Sequence, residues 1–291
     1  MRILIVSDTP TPTDLELRSA FARHGVDADV VRERDVLREA RPGDAALGRV
    51  DVLPSLDGTS GCIWTLRKLE DHGIHVLNGV GALLAAHDKL VTALKLGRAG
   101  IPHPVTAHVD DGAPLPSFAY PVVVKPRFGS WGRDVVACDS AGALADHLQA
   151  LRRRRWFRRQ GALVQELVPP VGRDLRVIVA GAEIAGAIER VAAPGEWRTN
   201  VALGASRRRV AHLPPEARRL ALAAAEVVDA DLVGVDLLPT ASGYTVLELN
   251  GAVSFNRDYS LAGSCVFDTV ARALVATIPA TREPATSRVT V

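Results

Sequence analysis

The sequence is poor in lysine: only four of its 35 lysine and arginine residues are lysines. It also has no apolar run that reaches the roughly 18 residues of a membrane-spanning helix. The formal net charge is only +2, so no strong overall field attracts nucleic acid. We therefore expect neither a membrane nor a nucleic acid as partner.

Cysteine is also scarce. Cys62, Cys138 and Cys265 lie far apart and have no Cys/His spacing that suits zinc. Residues 1–6 lead directly into a short apolar strand, without the apolar region and cleavage site of a secretory signal. These features predict a cytoplasmic protein with reduced, buried cysteines. The 291 residues, 47% of them hydrophobic, fit a globular chain of two or three domains.

Strand and helix patterns alternate in the first 80 residues. We predict strands at residues 3–6, 50–53 and 74–77, separated by helices at residues 15–24 and 60–72. This alternation is typical of a parallel sheet covered by helices, and it places the chain in the α/β class. No glycine-rich phosphate loop follows the first strand, which argues against a dinucleotide site there.

Turn residues divide the chain further. We predict an N-terminal α/β domain at residues 1–80, a central subdomain at residues 81–162 and a C-terminal subdomain at residues 163–278. Residues 279–291 are polar, lack apolar periodicity and predict a flexible tail. The C-terminal subdomain is predicted to end in a hairpin of strands at residues 233–238 and 244–250.

The predicted hairpin carries three oxygen-bearing side chains. Val246, Glu248 and Asn250 alternate along one strand, so we expect them on one face and the two intervening leucines in the core. Asp236 on the preceding strand should lie within about 8 Å of Glu248. Such a set suits magnesium, whose other positions water and phosphate would fill. The alternative is an exposed polar face of an edge hairpin.

Two of the rare lysines stand where an anion would stabilise them. Lys125 ends an apolar strand, and the glycine-bearing loop of residues 129–132 follows it. Glycine lets backbone N–H groups approach phosphate closely. Lys89 begins a helix, at the positive end of its dipole. The alternative for both is a solvated surface lysine. Gln165 and Glu166 interrupt a later apolar strand and are a weak signal alone.

Together these segments resemble the ATP-grasp superfamily, and within it the RimK-type carboxylate–amine ligases. The resemblance covers residues 1–278 and is tightest over residues 88–256. The loop of residues 129–133 is especially similar to ligases of lysine and arginine biosynthesis that act on a small acidic carrier protein. The matching segments are Asp88-Lys89, Val124-Lys125-Pro126, Gly129-Ser130-Trp131-Gly132-Arg133, Gln165-Glu166-Leu167-Val168, Gly172-Arg173-Asp174-Leu175-Arg176, Arg198-Thr199-Asn200, Asp236 and Glu248-Leu249-Asn250.

The resemblance implies an ATP-grasp fold with an N-terminal Rossmann-like domain, and an enzyme that activates a carboxylate as an acyl phosphate before an amine attacks it. It implies ATP and two Mg²⁺ ions, with Mn²⁺ as a substitute. It implies nucleotide binding by Lys89, Lys125, Gly129, Ser130, Trp131, Gly132, Gln165, Glu166, Leu167, Val168 and Asp174. It implies metal binding by Asp236, Glu248 and Asn250, and catalytic roles for Arg176, Arg198 and Asn200.

Two positions depart from the pattern of the relatives. Leu203 stands where many relatives carry an arginine, and Ser254 stands where carrier-protein ligases tend to have glutamate. The identity of the substrates therefore stays open. An amino acid is the expected amine, the acceptor is a carrier protein, a peptide or a small molecule, and a homo-oligomer is expected. The alternatives are another ATP-grasp ligase, such as a dipeptide ligase or a glutathione-synthetase-like enzyme, and a nucleotide-binding module without catalysis.

Overall fold

The structure is a computed structural model that describes residues 1–52, 54–55, 58–59, 61–110 and 117–279. The tail predicted at residues 279–291 lies outside the described residues except for Pro279. Leu53, the last residue of a predicted strand, and Ser60, the first residue of a predicted helix, also lie outside the described residues. Three larger sheets organise the described chain.

The first sheet is parallel, with the strand order β2-β1-β3-β6. The predicted α/β alternation is therefore confirmed. A capping box formed by Thr11 and Asp14 starts the first helix, with proline in its first turn. The elements of this part are β1 (Arg2–Val6), α1 (Pro12–Arg23), β2 (Asp27–Val31), α2 (Glu33–Glu39), β3 (Ala45–Gly48), β4 (Pro54–Ser55), β5 (Gly58–Thr59), α3 (Gly61–Asp71) and β6 (His75–Leu77).

The strand predicted at residues 50–53 is wrong. The strand lies earlier, at Ala45–Gly48, and pairs with β1 and β6. Gly48 allows this close packing, because a Cβ atom there would lie 2.9 Å from the carbonyl oxygen of Asn78. Alanine and glycine have low strand propensity, which explains why the pattern pointed to Val50 and Val52 instead.

The second sheet is antiparallel, with the strand order β7-β10-β8-β9. The boundary predicted between residues 162 and 163 falls inside β10, so this sheet extends to Glu166. The division into domains stays a prediction. The elements are α4 (Val80–His87), α5 (Lys89–Arg98), β7 (Thr106–Val109), β8 (Val122–Pro126), β9 (Val136–Cys138), α6 (Ala141–Leu151), α7 (Arg155–Gln160) and β10 (Ala162–Glu166).

The third sheet is antiparallel, with the strand order β13-β12-β11-β14-β15. Its last two strands form the predicted hairpin, joined by a turn at Ala241 and Ser242. The elements are β11 (Arg173–Ala180), β12 (Glu183–Val191), β13 (Ser206–Arg209), α8 (Pro215–Val227), β14 (Leu232–Thr240), β15 (Gly243–Asn250) and α9 (Val266–Thr277).

A shared core joins the first sheet to the third. Leu17 and Phe21 of α1 pack in one apolar cluster with Phe267 and Leu274 of α9. Thr13 Oγ1 donates to the carbonyl oxygen of Phe255 at 2.9 Å. Large buried side chains of this kind contribute about 2–3 kcal/mol each, so the N-terminal part is firmly seated beside the hairpin.

Candidate active site

A cavity of about 980 Å³ lies between the second and third sheets. It collects most of the residues that the sequence singled out. The predicted residues in its wall are Lys89, Lys125, Gly129, Ser130, Trp131, Gly132, Gln165, Glu166, Leu167, Val168, Asp174, Arg198, Asn200, Asp236 and Glu248. Arg176 and Asn250 line a second, adjoining cavity instead. We call these the first and the second cavity.

Lys125 is a buried cation in the wall of the first cavity. Its residue is 6% exposed, and burial lowers the pKa of its ammonium group to about 8, with Glu248 opposing and Lys89 reinforcing the shift. Nζ donates to Gln165 Oε1 at 2.8 Å. A buried ammonium with a single neutral partner is poorly compensated, so the site favours an anionic ligand.

The Gln165 side chain is fixed by a network that the sequence did not reveal. Its Nε2 donates to Thr106 Oγ1 at 2.7 Å and lies 3.3 Å from His103 Nε2. Burial lowers the pKa of His103 to about 4, and Lys125 adds to that shift. In this arrangement the Gln165 amide orients Lys125, and its predicted contact with the nucleotide stays a prediction.

Lys89 lines the same cavity. Asp88 caps α5 by accepting from the backbone N–H groups of Leu90 and Val91, and Asp88 also binds Arg127 through Nε at 2.8 Å. Lys89 Nζ donates to the carbonyl oxygen of Gly129 at 2.6 Å and lies 3.9 Å from Glu248 Oε2. Two cations and one carboxylate therefore converge on one wall.

The loop after β8 lies where the two cavities adjoin. Gly129, Trp131 and Gly132 have φ values of 127°, 65° and 69°, a backbone region that favours glycine. A Cβ atom on Gly132 would lie 2.7 Å from Asn200 Oδ1, so this position requires glycine. Trp131 is 59% exposed, and the Arg133 guanidinium stacks 4.6 Å from its ring centre.

Arg198 donates hydrogen bonds to this loop and to the residues that follow it. Its Nη1 donates to the carbonyl oxygens of Gly132 at 3.2 Å and Val135 at 3.3 Å. Glu196 accepts from the other side of the guanidinium, and this contact lowers the pKa of Glu196 to about 2. Arg198 thus links the loop to the third sheet, at the mouth of the first cavity.

The hairpin places Asp236 and Glu248 as directly paired residues, as predicted. Arg176 binds Asp236 through two hydrogen bonds of 2.7 Å, and Arg190 adds a third of 2.9 Å. Burial alone would raise the pKa of Asp236, but the two guanidinium groups hold it well below its usual range. Asp236 is therefore an ionised carboxylate inside the protein.

The predicted alternation along β15 is wrong at one point. The pairing register shifts between Asp236 and Leu237, whose partners are Glu248 and Val246, so Leu247 is an extra residue. Such a bulge turns the strand locally. Val246 therefore packs in the core with Leu249, while Leu247 lines the first cavity beside Glu248.

The hairpin offers oxygen donors of the kind that magnesium takes, and both oxygens of Asp236 accept hydrogen bonds from Arg176 and Arg190 in this structure. No group of three or more His, Cys, Asp or Glu side chains suited to a metal occurs in the described part of the chain. Two carboxylates and the Asn250 amide are present instead, and Mg²⁺ commonly takes few protein ligands together with substrate phosphates. Asn250 Nδ2 is buried without a hydrogen-bond partner among the described residues; because Nδ2 is a donor, a metal would bind the Oδ1 atom of this amide instead.

Asp174 and Arg190 form a buried ion pair that supports the hairpin. Asp174 accepts from Arg190 Nε at 2.8 Å and from Thr199 Oγ1 at 2.6 Å. Because both carboxylate oxygens of Asp174 are occupied, its predicted contact with ribose stays a prediction. Arg190 bridges Asp174 and Asp236.

The second cavity, of about 1160 Å³, meets the first at Glu248, Asn200, Arg190, Ser130 and Trp131. Arg176, Arg190 and Arg207 line it. Of the two departures from the family pattern, Leu203 lies against the glycine loop, since its Cδ1 would be 3.0 Å from a Cβ on Gly132. Ser254 lines the second cavity.

Comparison with known proteins identifies the family. Residues 86–263, more than half of the chain, match the RimK-like ATP-grasp domain. The chain belongs to the RimK-like ATP-grasp family. The predictions of an ATP-grasp fold and of an ATP-dependent carboxylate–amine ligase are thereby confirmed. ATP and magnesium are the cofactors that this family uses.

Individual relatives agree with this assignment. The chain is 28% identical over 264 residues to the glutamate–LysW ligase ArgX of Sulfurisphaera tokodaii, covering 88% of this chain and 91% of that protein. It is 30% identical over 248 residues to the probable alpha-L-glutamate ligase 2 of Hahella chejuensis, covering 83% and 79%. The ATP-grasp ligase PsnB, solved with a minimal precursor, Mg and ADP, has a similar fold, with a TM-score of 0.65, 19% identity and coverage of 94% and 97%.

The described helices also bear on the membrane prediction. Among the residues that the structure describes, no helix combines the length and the apolar character needed to cross a bilayer.

Proposed function

We propose that this ligase joins the amine of an acidic amino acid, L-glutamate in the first instance, to a carboxylate of a peptide or a carrier protein. Each turnover converts one ATP to ADP and phosphate. The two relatives compared above are named as glutamate ligases, and one of them is named for LysW as its acceptor. A peptide and a carrier protein both offer a carboxylate on a flexible chain, so both acceptors belong to the proposal.

The proposal rests on the way in which the two cavities meet at Glu248. The first cavity offers cations and backbone N–H groups, as a nucleotide triphosphate requires. Arg207 lines the second cavity beside Arg176 and Arg190, which already bind Asp236, and guanidinium groups bind carboxylates with matching geometry. A phosphoryl group at the junction would therefore face an acid held in the second cavity.

Lys89 and Lys125 are proposed to bind the phosphates from two sides, with the loop of residues 129–133 closing over them. Adenine is proposed to bind the backbone of Glu166, Leu167 and Val168, and the ribose to lie beside Asp174. These groups all line the first cavity. Preformed cations and N–H groups need little reorganisation when negative charge shifts between oxygens during phosphoryl transfer.

Asp236, Glu248 and Asn250 are proposed to hold two Mg²⁺ ions, which Mn²⁺ can replace. Bound there, the metal would neutralise phosphate charge. Arg176 and Arg190 bind Asp236 from below and fix the direction of its carboxylate. Asn200 lines both cavities and Arg198 lines the first, and both are proposed to contact the transferring phosphoryl group. Exclusion of water by the closed loop would protect the acyl phosphate from hydrolysis.

The test is a mass-spectrometric screen. The full chain is incubated with ATP, Mg²⁺, a synthetic peptide ending in glutamate, and each of the twenty amino acids in turn. The expected product is the peptide extended by one glutamate, with an equal amount of ADP. Extension by neutral amino acids only would contradict the acidic substrate, and dipeptides without extension of the peptide would favour the dipeptide-ligase alternative.

Two matched variants accompany the screen. Lys125→Met removes a cation from the first cavity, whereas Lys68→Met removes an exposed lysine of α3. Product formation should disappear in the first and persist in the second. The cytoplasmic location and a homo-oligomeric state are further parts of the proposal, and size-exclusion chromatography with light scattering checks the second.

A further inference from the structure

A histidine and an aspartate that the ligase chemistry described above does not use face the second cavity. His87 is the last residue of α4, and Asp51 follows β3. His87 Nε2 lies 3.2 Å from Asp51 Oδ1. The His87 side chain is 13% exposed and that of Asp51 is 56% exposed, so the pair is open to a ligand that enters this cavity.

The hydrogen bonds of the imidazole fix the position of its protons. His87 Nδ1 lies 2.9 Å from the carbonyl oxygen of Leu83, which only accepts, so Nδ1 carries a proton. In the neutral ring Nε2 then has a lone pair directed toward the Asp51 carboxylate. Two acceptors at this distance repel each other unless a proton or a cationic donor lies between them.

The ring is also held close to the hairpin. A Cβ atom on Gly251 would lie 3.0 Å from His87 Cε1 and 3.2 Å from Nδ1, so the imidazole packs on the backbone that directly follows Asn250. Glycine at this position permits the close approach. His87 is thereby placed beside the end of the strand that carries Glu248, in the lining of the second cavity.

The second cavity is lined by groups of both signs. Arg176, Arg190 and Arg207 make up its cationic lining, whereas Asp51 and His87 come from the N-terminal part. Asp8 and Glu33 lie behind Asp51: burial raises the pKa of Asp8, and Glu33 and Asp51 add to that shift. Among the described residues, the charged and titratable groups that line the cavity with His87 are Asp51, Arg176, Arg190, Arg207, Glu248 and Tyr259.

We propose that Asp51 and His87 receive the ammonium group of the amine substrate, and that His87 Nε2 accepts its proton. An amino acid carries both charges, so the arginines draw its carboxylate groups to one side and leave its ammonium on the side of Asp51. The ammonium is a cationic donor that can bind Nε2 and the Asp51 carboxylate together. This inference rests on the proposed function.

The proton transfer makes the amine a nucleophile. One proton passes from the ammonium nitrogen to Nε2, and the imidazolium that forms pairs with Asp51. The nitrogen lone pair attacks the acyl carbon, the C–N bond forms, and the C–O bond to phosphate breaks with its electron pair on the phosphate. The remaining excess proton on nitrogen passes to the departing phosphate. General base catalysis of this kind typically contributes about 100-fold to 10,000-fold.

Hydroxylamine provides the test, because it is largely unprotonated at neutral pH and needs no base. The full chain receives ATP, Mg²⁺, a peptide ending in glutamate and either L-glutamate or hydroxylamine, and mass spectrometry measures amide and hydroxamate. In His87→Gln the ratio of hydroxamate to amide should rise about 100-fold over that of the unmodified protein. Amide formation by this variant should also increase more steeply with pH, as free amine accumulates.

The chain offers a matched control. His72, an exposed residue at the end of α3, makes the same contact between Nδ1 and the carbonyl oxygen four residues earlier, at 2.6 Å, but lies outside the linings of both cavities. His72→Gln should leave the product ratio unchanged. Asp51→Asn keeps the shape of an exposed side chain and should raise the KM for L-glutamate about fivefold.

The outcomes distinguish a failure of the role given to Asp51 and His87 from a failure of the proposed ligase function. An unchanged ratio in His87→Gln, or an equal loss of both products with no change of KM in Asp51→Asn, would overturn the role of the pair. An unmodified protein that forms neither amide nor hydroxamate would overturn the proposed function, and the ammonium site with it.

Discussion

The affinity for ATP should fall as pH rises through 8, because Lys125 must be protonated to bind phosphate. Without nucleotide, burial lowers the pKa of Lys125 to about 8. Phosphate oxygens beside the ammonium favour its charged form and raise the pKa again. ATP binding is therefore accompanied by proton uptake at any pH at which Lys125 of the free protein is deprotonated.

The magnitude follows from the pKa. Lys125 is about 90% protonated at pH 7 and about 10% at pH 9, so the Kd for the Mg²⁺ complex of a non-hydrolysable ATP analogue should rise about tenfold over this range. The phosphate itself contributes little, since its last proton leaves near pH 6. At pH 8 about half a proton should be taken up for each nucleotide bound.

Isothermal titration calorimetry in buffers of different ionisation enthalpy measures both quantities. Lys125→Met should bind weakly and show no proton uptake, and Lys68→Met should behave like the unmodified protein. The reasoning is refuted if the Kd changes less than twofold between pH 7 and pH 9, or if Lys125→Met keeps the full pH dependence.

Three further substitutions test the buried charges. Lys125→Met should stabilise the fold at pH 7 by up to about 3 kcal/mol, because the folded-state pKa lies below the unfolded value and protonated Lys125 opposes folding. This gain, read from urea unfolding, should shrink between pH 8 and pH 10.5; equal stability at pH 7 would contradict it. Glu248→Gln should lower the rate of ADP formation about 1000-fold, because it removes the negative charge that would bind the metal and attract Lys89. A loss below tenfold at saturating Mg²⁺ would exclude it as a ligand. Asp236→Asn should cost about 3–5 kcal/mol of unfolding free energy, because Arg176 and Arg190 lose their partner. An unchanged urea midpoint would show that these pairs contribute nothing.

Local rules were sufficient for much of the candidate site. A short turn between two apolar strands fixes their register, and this is why Asp236 and Glu248 could be paired in advance. Lys89 was identified from its place at the start of a helix, and Lys125 from its place at the end of an apolar strand. Each of these inferences needs only the residues near it in the chain.

Contacts between distant residues could not be derived in this way. The bulge at Leu247 changes the faces of β15, and no turn or glycine signal marks it. Gln165 meets His103 across 62 positions of sequence, and the pairing of His87 with Asp51 depends on how α4 packs beside β3. Only the packed structure brings such groups together.

Weak local patterns explain the errors in the first sheet. β2 contains two aspartates within five residues, and β3 is rich in alanine, so neither has the β-branched pattern of an obvious strand. Tertiary packing decided these elements. Gly48 is an example. The carbonyl oxygen of Asn78 and the leucines of α3 and α4 pack so closely around it that a side chain would have no room.

A crystal structure with Mg²⁺ and a non-hydrolysable ATP analogue is the most direct measurement. The α- and β-phosphates are expected between Lys89 and Lys125 and the terminal phosphate beside Arg198 and Asn200, with metal bound to Asp236, Glu248 and Asn250. A triphosphate bound elsewhere, with Lys125 still donating only to Gln165, would contradict the assignment of the site.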